Sequence, residues 1–108
     1  MIARFWRARA TAGGVEAYRR HFNEAVRPEL AQIRGHAGAY FLTRSSGREE
    51  EVLVLTLWDS MAAVEAFAGA DPDRAVVGPE ARAALIDFDD RVLHYQVLDR
   101  PVSVAPPR

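Results

Sequence analysis

The stretch that most constrains the fold is EVLVLTLW, residues 51–58. Such a near-continuous apolar run of β-forming residues indicates a strand whose two faces are both covered. The run ends on Trp58, and the helix-capping pair Asp59-Ser60 follows at once. Alternation along the strand assigns its side chains to opposite faces of a sheet: Leu53, Leu55 and Leu57 to one face, and Val52, Val54 and Trp58 to the other.

A long helix is predicted over residues 15–34, because its apolar residues recur at steps of three and four. Pro28 predicts a kink or break in this helix, since proline removes a backbone hydrogen bond. The chain would then restart as a short helix with Pro28 in its first turn. The apolar stripe of the long helix comprises Val15, Tyr18, Phe22, Val26, Leu30 and Ile33.

The remaining patterns complete a β–α–β–β–α–β order. Further strands are predicted at residues 2–10, 39–44 and 91–98, and a helix at 60–68. Another helical segment is predicted to start at Asp71-Pro72-Asp73, to be interrupted and restarted at Gly78-Pro79-Glu80, and to run to about Ile86, with a polar turn at 87–90. This order is typical of the ferredoxin-like α+β fold, a four-stranded antiparallel sheet with helices on one face. A second copy would cover the other face, so we expect a homodimer formed through the sheets. The domain would span residues 1–100, followed by a flexible tail at 101–108.

Composition excludes several classes of function. The 108 residues are 49% apolar, carry a net charge of −1 and contain neither cysteine nor lysine. Thiolate and Schiff-base chemistry are therefore excluded, and no basic excess suggests nucleic acid binding. No apolar run is long enough to cross a membrane, and no signal-peptide pattern is present, so we expect a cytoplasmic protein. The three histidines do not have metal-ligand spacing, so no metal site is predicted.

The sequence resembles the dimeric α/β-barrel superfamily and, within it, the antibiotic biosynthesis monooxygenase family. The resemblance rests on the element order, Trp58 before Asp59-Ser60, the FAG and DP segment at 67–72, and the closing strand with His94-Tyr95. It implies a pocket between helices and sheet in each subunit. Members include cofactor-free oxygenases of polyketide quinols, heme-degrading enzymes, and proteins of unknown role. In the heme-degrading branch a strand-end Trp borders the ligand, but Trp6 and Val77 stand where its Asn and iron-binding His would be.

The candidate site residues follow from these patterns and from the resemblance. Each has an alternative interpretation as an ordinary packing or surface residue: a buried Trp can fill the gap between helices and sheet, and a strand Arg can form a surface ion pair. Trp6 could meet Trp58 across the pocket and fill it. The predicted catalytic residues are Trp58, Arg4 and His94, and the predicted substrate-binding residues are Trp6, Tyr18, His21, Phe22 and Tyr40.

Two hypotheses of function remain at this stage. The first is a monooxygenase that needs no cofactor and acts on a small aromatic, quinol-like substrate whose electron-rich ring reduces O2. The second is a non-catalytic dimer that binds a small apolar or aromatic ligand, or has a stress-associated role. Heme degradation is a weaker third hypothesis, because the Asn and His of that branch are replaced.

Overall fold

The structure is a computed structural model that describes residues 1–101, so most of the predicted tail at 101–108 lies outside the described residues. It confirms the α+β class and the antiparallel sheet. The central strands β1 (Ile2–Ala10) and β3 (Glu49–Trp58) pair along their full length, and β2 (His36–Ser46) lies on the outer edge of β3. Within residues 1–101, no helix is both long and apolar enough to cross a membrane.

One helical layer covers one face of the sheet. It comprises α1 (Ala12–His21), a π-helical turn (Phe22–Val26), α2 (Arg27–Ala31), α3 (Met61–Ala68) and α4 (Pro79–Ala84). Hydroxyl groups cap two of these helices: Thr11 Oγ1 accepts from the Gly14 N–H at 3.0 Å, and Ser60 Oγ from the Ala63 N–H at 3.2 Å. These bonds satisfy N–H groups that lack partners inside the helix.

The predicted short helix with Pro28 in its first turn is confirmed by α2, but the chain is not interrupted before it. The chain stays helical from Ala12 to Ala31, and a π-helical turn lies directly before Arg27. In this turn the Arg27 N–H bonds to the carbonyl of Phe22, five residues back. The wider turn shifts the hydrogen-bond register ahead of Pro28, whose missing N–H then falls in the first turn of α2, where none is needed.

The helix predicted from Asp71 is wrong over residues 71–78, whereas the restart predicted at Pro79 is confirmed by α4, which ends at Ala84. Apart from the bond from the Arg74 N–H to the Asp71 carbonyl at 3.2 Å, backbone groups of this segment bond to residues elsewhere in the molecule. The Arg4 side chain donates to the carbonyls of Pro72 and Arg74, and the Val92 N–H donates to the Asp73 carbonyl at 2.7 Å. Tertiary contacts therefore override the local helix-start pattern.

The fourth strand is divided in two. The short β4 (Asp87–Phe88) pairs with Ala8 and Arg9, whereas β5 (Leu93–Gln96) pairs with residues 2–5 at the other end of β1. The expected polar turn at 87–90 is thus partly strand, and the expected strand at 91–98 is shorter. Both pieces pair with β1, in place of the single last strand that was predicted.

The sheet face opposite the helices carries apolar side chains that the monomer leaves partly uncovered. Phe5 and Tyr95 pack edge to face with ring centroids 5.3 Å apart. They border an open groove of about 550 Å3, whose other apolar lining residues include Leu53 and Leu93. More than half of the Leu93 surface is exposed, at 61%. This face is the one for which the sequence predicts a second copy.

Candidate functional site

A small cavity lies between the helical layer and the sheet. Its volume is about 50 Å3, far below the roughly 300–1,000 Å3 of pockets for drug-sized ligands. Val76, a residue that is 55% exposed, lies on the irregular segment after α3 and marks the mouth. The lining residues are Arg4, Trp6, Tyr18, Phe22, Val26, Leu30, Val54, Thr56, Phe67, Val76 and Val92.

Three of the predicted substrate-binding residues line this cavity, namely Trp6, Tyr18 and Phe22. Tyr18 packs against both of the others, with ring centroids 5.7 Å from Trp6 and 6.2 Å from Phe22. The indole N–H of Trp6 donates to the Asp89 carbonyl at 2.9 Å, which fixes the ring plane. Burial raises the pKa of the Tyr18 hydroxyl, so this group stays protonated near neutral pH. The walls are therefore aromatic and held rigidly.

Arg4 is the charged residue of the cavity lining. It is only 5% exposed, which excludes the surface ion pair considered as its alternative role. Its Nη1 donates to the Pro72 carbonyl at 2.6 Å, and its Nη2 donates to the Arg74 carbonyl at 3.0 Å. The backbone of the irregular segment therefore fixes the guanidinium.

His94 lies beside Arg4 rather than on the cavity wall. Its Nε2 is 3.2 Å from Arg4 Nη1, and its Nδ1 is 3.0 Å from Asp73 Oδ1. Because a guanidinium can only donate, Nε2 must accept, and the ring proton then sits on Nδ1 facing the carboxylate. His94 therefore supports the Arg4 side chain. Asp73, which the sequence analysis did not predict as a site residue, completes the hydrogen-bonded series Arg4–His94–Asp73.

The charge of Arg4 is kept despite its burial. Burial lowers the pKa of the Arg4 guanidinium to about 10, and the nearby Asp73 carboxylate opposes part of that shift. A pKa of about 10 leaves the group protonated at neutral pH. The cavity therefore presents a fixed cation in a poorly hydrated environment, where a cation attracts an anion more strongly than it does in water.

Trp58 does not line the cavity. It is fully buried at 0% exposure, stacked on Phe67 with centroids 5.5 Å apart and edge to face with His36 at 4.9 Å. The expected meeting of the two tryptophans does not occur, because Trp58 pairs with Ile2 at the end of β1 whereas Trp6 pairs with Val54. Trp58 is a plug between strand end and α3.

The side chain of Trp58 forms a hydrogen bond to a residue that lines the cavity. Its indole N–H donates to Thr56 Oγ1 at 2.9 Å, and Thr56 is a lining residue. Thr56 also pairs directly with Arg4 across β1 and β3. Sequence reasoning missed Thr56, although its parity with Trp58 on the strand could have placed both residues on the same face.

Two predicted substrate-binding residues lie away from the cavity. Tyr40 is paired with Leu55 on the opposite face of the sheet and is 54% exposed. His21 lies at the end of α1, with its Nδ1 2.9 Å from Glu80 Oε2 but not in hydrogen-bonding geometry. Neither side chain can contact a ligand at Arg4 in this arrangement. Among residues 1–101, no three metal-ligating side chains of the His, Cys, Asp or Glu type cluster together.

The fold and the cavity define a ferredoxin-like protein with an aromatic cavity around a buried cation. The chain belongs to the antibiotic biosynthesis monooxygenase family, whose model matches residues 1–78. Among curated protein sequences, no relative matches the chain significantly.

Solved structures agree with this assignment of the fold. A Bacillus cereus protein assigned to the antibiotic biosynthesis monooxygenases has a TM-score of 0.68 at 19% identity, covering 97% of this chain and 98% of that one. SnoaB, a cofactor-independent oxygenase from Streptomyces nogalater, has a TM-score of 0.61 at 11% identity, with 92% and 95% covered. The ActVA-Orf6 monooxygenase from Streptomyces coelicolor, solved with nanaomycin D, has a TM-score of 0.57 at 14% identity, with 97% and 92% covered. At these identities the likeness establishes the fold.

Proposed function

We propose that the protein is a cofactor-independent monooxygenase that acts on a small hydroxyaromatic, quinol-like substrate. The observation that carries this proposal is the buried Arg4 guanidinium at the polar corner of an aromatic cavity. A fixed cation there stabilises the phenolate form of the substrate. Deprotonation makes the ring electron-rich, and such a ring can itself donate electrons to O2.

The reaction balances without an external reductant. A bond forms between a ring carbon and one oxygen atom of O2, and the O–O bond breaks. The other oxygen leaves as water with the two hydrogens of the phenolic O–H and the ring C–H. The substrate becomes a quinone and supplies all four electrons. In this scheme Arg4 binds the substrate oxygen, while Trp6, Tyr18 and Phe22 hold the ring.

The size of the cavity favours a single ring. At about 50 Å3 it accommodates the oxygen-bearing edge of one ring, with the rest of that ring at the mouth beside Val76. A polycyclic substrate would require segment 71–78 to move, and Arg4 ties this segment to the sheet through two carbonyls. A porphyrin is larger still, which argues against heme degradation; a heme titration without a Soret shift would agree.

The test is oxygen consumption by the purified protein with single-ring hydroquinones and with matched bicyclic quinols, corrected for autoxidation. Arg4→Met should lower kcat/KM by about 100-fold or more, the usual effect of removing an oxyanion donor. Arg4→Lys should also lose most activity, because lysine cannot make the same set of bonds. Arg44→Met is the matched control, since Arg44 is an exposed strand arginine paired with Glu51 at 2.9 Å. Full activity in folded Arg4→Met would refute the proposed site.

One observation favours the non-catalytic alternative. No Asp, Glu or His of residues 1–101 lines the cavity, so no ordinary general base contacts a ligand there. A pure binding protein would show saturable, Arg4-dependent binding of a phenolic probe with no oxygen consumption above the autoxidation rate. An oxygenase should show both Arg4-dependent binding of the phenolic probe and oxygen consumption above the autoxidation rate.

We further propose that the protein acts as a homodimer joined through the sheet faces. The apolar groove bounded by Phe5, Leu93 and Tyr95 supports this, because a monomer would leave it open to water. Sedimentation at micromolar concentration should give twice the 12.0 kDa chain mass. A monomer at that concentration would contradict the proposal.

A further inference from the structure

Arg4 has hydrogen-bond donors that the protein does not use. A guanidinium has five N–H bonds. Both Nη1 hydrogens are directed to acceptors, the Pro72 carbonyl and His94 Nε2, and one Nη2 hydrogen goes to the Arg74 carbonyl. Within residues 1–101 no acceptor takes the Nε–H or the second Nη2–H. These two nitrogens form one edge of the planar group, with the spacing that matches two neighbouring oxygens.

Thr56 provides a third unused donor in the lining of the same cavity. Its Oγ1 already accepts the indole N–H of Trp58, so the hydroxyl hydrogen must point away from the indole. No acceptor within residues 1–101 takes that hydrogen, and Thr56 lines the cavity. Because Thr56 and Arg4 are directly opposed across β1 and β3, their Cβ atoms lie about 5 Å apart.

The charge of the cavity lining matches this set of donors. Arg4 is its cation, and the lining includes no carboxylate. The unused groups of Arg4 and Thr56 donate, so the complementary ligand must accept at more than one oxygen and carry negative charge.

We propose that Thr56 is a specificity-determining residue that binds a second ligand oxygen, with Trp58 as the positioning residue that sets the direction of its hydroxyl. The ligand class is then a single-ring aromatic anion with two neighbouring acceptor oxygens, such as an ortho-hydroxy carboxylate or an ortho-hydroxy carbonyl compound. This rests on the proposed function only in sharing its cavity, because binding requires no reaction with O2.

The test compares two probes by calorimetry: salicylate, which has neighbouring oxygens, and phenol, which has one. Salicylate should bind the wild-type protein more tightly. Thr56→Val should weaken salicylate about tenfold, the loss of one hydrogen bond to a charged acceptor, and change phenol binding less than twofold. Thr56→Ser should restore salicylate binding, since it keeps the hydroxyl.

A second comparison isolates the role of Trp58. Trp58→Phe keeps an aromatic plug but removes the indole N–H, so the Thr56 hydroxyl can rotate and salicylate should weaken severalfold. In the Thr56→Val background the same change should have no further effect on affinity, because no hydroxyl remains to be positioned. A purely structural role of Trp58 would instead weaken both probes in both backgrounds.

The outcomes separate this inference from the proposed oxygenase. Salicylate binding that depends on Thr56, together with no oxygen consumption with the hydroquinones and quinols of the oxygenase test, supports the inference and refutes the oxygenase. Oxygen consumption that Thr56→Val leaves unchanged, with unchanged salicylate affinity, refutes the inference and keeps the oxygenase. Equal weakening of both probes by Thr56→Val, or no binding of salicylate, also overturns the inference.

Discussion

Replacing Thr56 with valine should destabilise the protein although the two side chains have nearly the same shape. The change removes the acceptor of the Trp58 indole N–H, a bond of 2.9 Å. Trp58 is 0% exposed, so water cannot replace the lost acceptor without disrupting the packing. Leaving such a buried donor unsatisfied costs about 1–3 kcal/mol. For a domain of this size the melting temperature should fall by about 4 °C or more for each kcal/mol.

Urea unfolding at one fixed protein concentration measures this loss, since a dimer's stability depends on concentration. Trp58→Phe and the double variant complete a cycle, whose coupling should be about 1 kcal/mol, the net value of one hydrogen bond. Thr43→Val is the matched control, because Thr43 is an exposed threonine on β2 and should change stability by less than about 0.5 kcal/mol. Wild-type stability in Thr56→Val, or strict additivity in the cycle, would refute the bond on which the ligand inference depends.

Three further predictions concern other parts of the molecule. Gly13→Ala should raise the free energy of unfolding by about 0.5–1 kcal/mol through helix propensity, whereas Gly14→Ala should lower it in the same urea assay, because a Cβ there would lie 2.4 Å from the Ala84 carbonyl oxygen. Leu93→Lys should shift sedimentation toward monomer, and Val76→Lys should not, although both residues are exposed to a similar extent, at 61% and 55%; equal effects would contradict dimerisation through the sheet. The hydrogen bond from Arg9 lowers the pKa of Asp87, so the stability due to this pair is present above the ordinary value of 3.8 and is lost as the pH falls through the lower folded value. In Arg9→Gln, an NMR titration should return the pKa of Asp87 toward that ordinary value, and an unchanged titration would exclude Arg9 as the cause.

The sequence was sufficient for the features that follow from periodicity. The apolar stripe of the long helix packs against the core as predicted, and the alternation of β3 correctly separates Val54 and Trp58 from the leucines. The neighbours of Arg4, by contrast, depend on the register between strands. Thr56 becomes a neighbour of Arg4 only through the β1–β3 pairing, and His94 only through the β1–β5 pairing.

The helix prediction for residues 71–78 failed for a different reason. Asp71-Pro72-Asp73 is a sound helix start when judged locally, but a helix needs its carbonyls for internal bonds. Here the carbonyls of Pro72 and Arg74 are taken by a side chain from β1, which lies about seventy residues earlier in the sequence. A charged donor bonds more strongly than a neutral one, so Arg4 can compete with the helix for these groups. The sequence of residues 71–78 alone therefore could not predict this competition.

Trp58 shows how packing and specificity become linked in one residue. The sheet ends at Trp58 just before α3 begins, and a large side chain fills the space between them. An indole brings an N–H that cannot stay unpaired when it is fully buried. Thr56, two residues earlier on the same face, supplies the acceptor, and this leaves the threonine's own hydrogen as a donor to the cavity. A phenylalanine plug would impose no such direction. On this reasoning the strand-end tryptophan acts on a ligand without contacting it, and its substitution should change stability and salicylate affinity together.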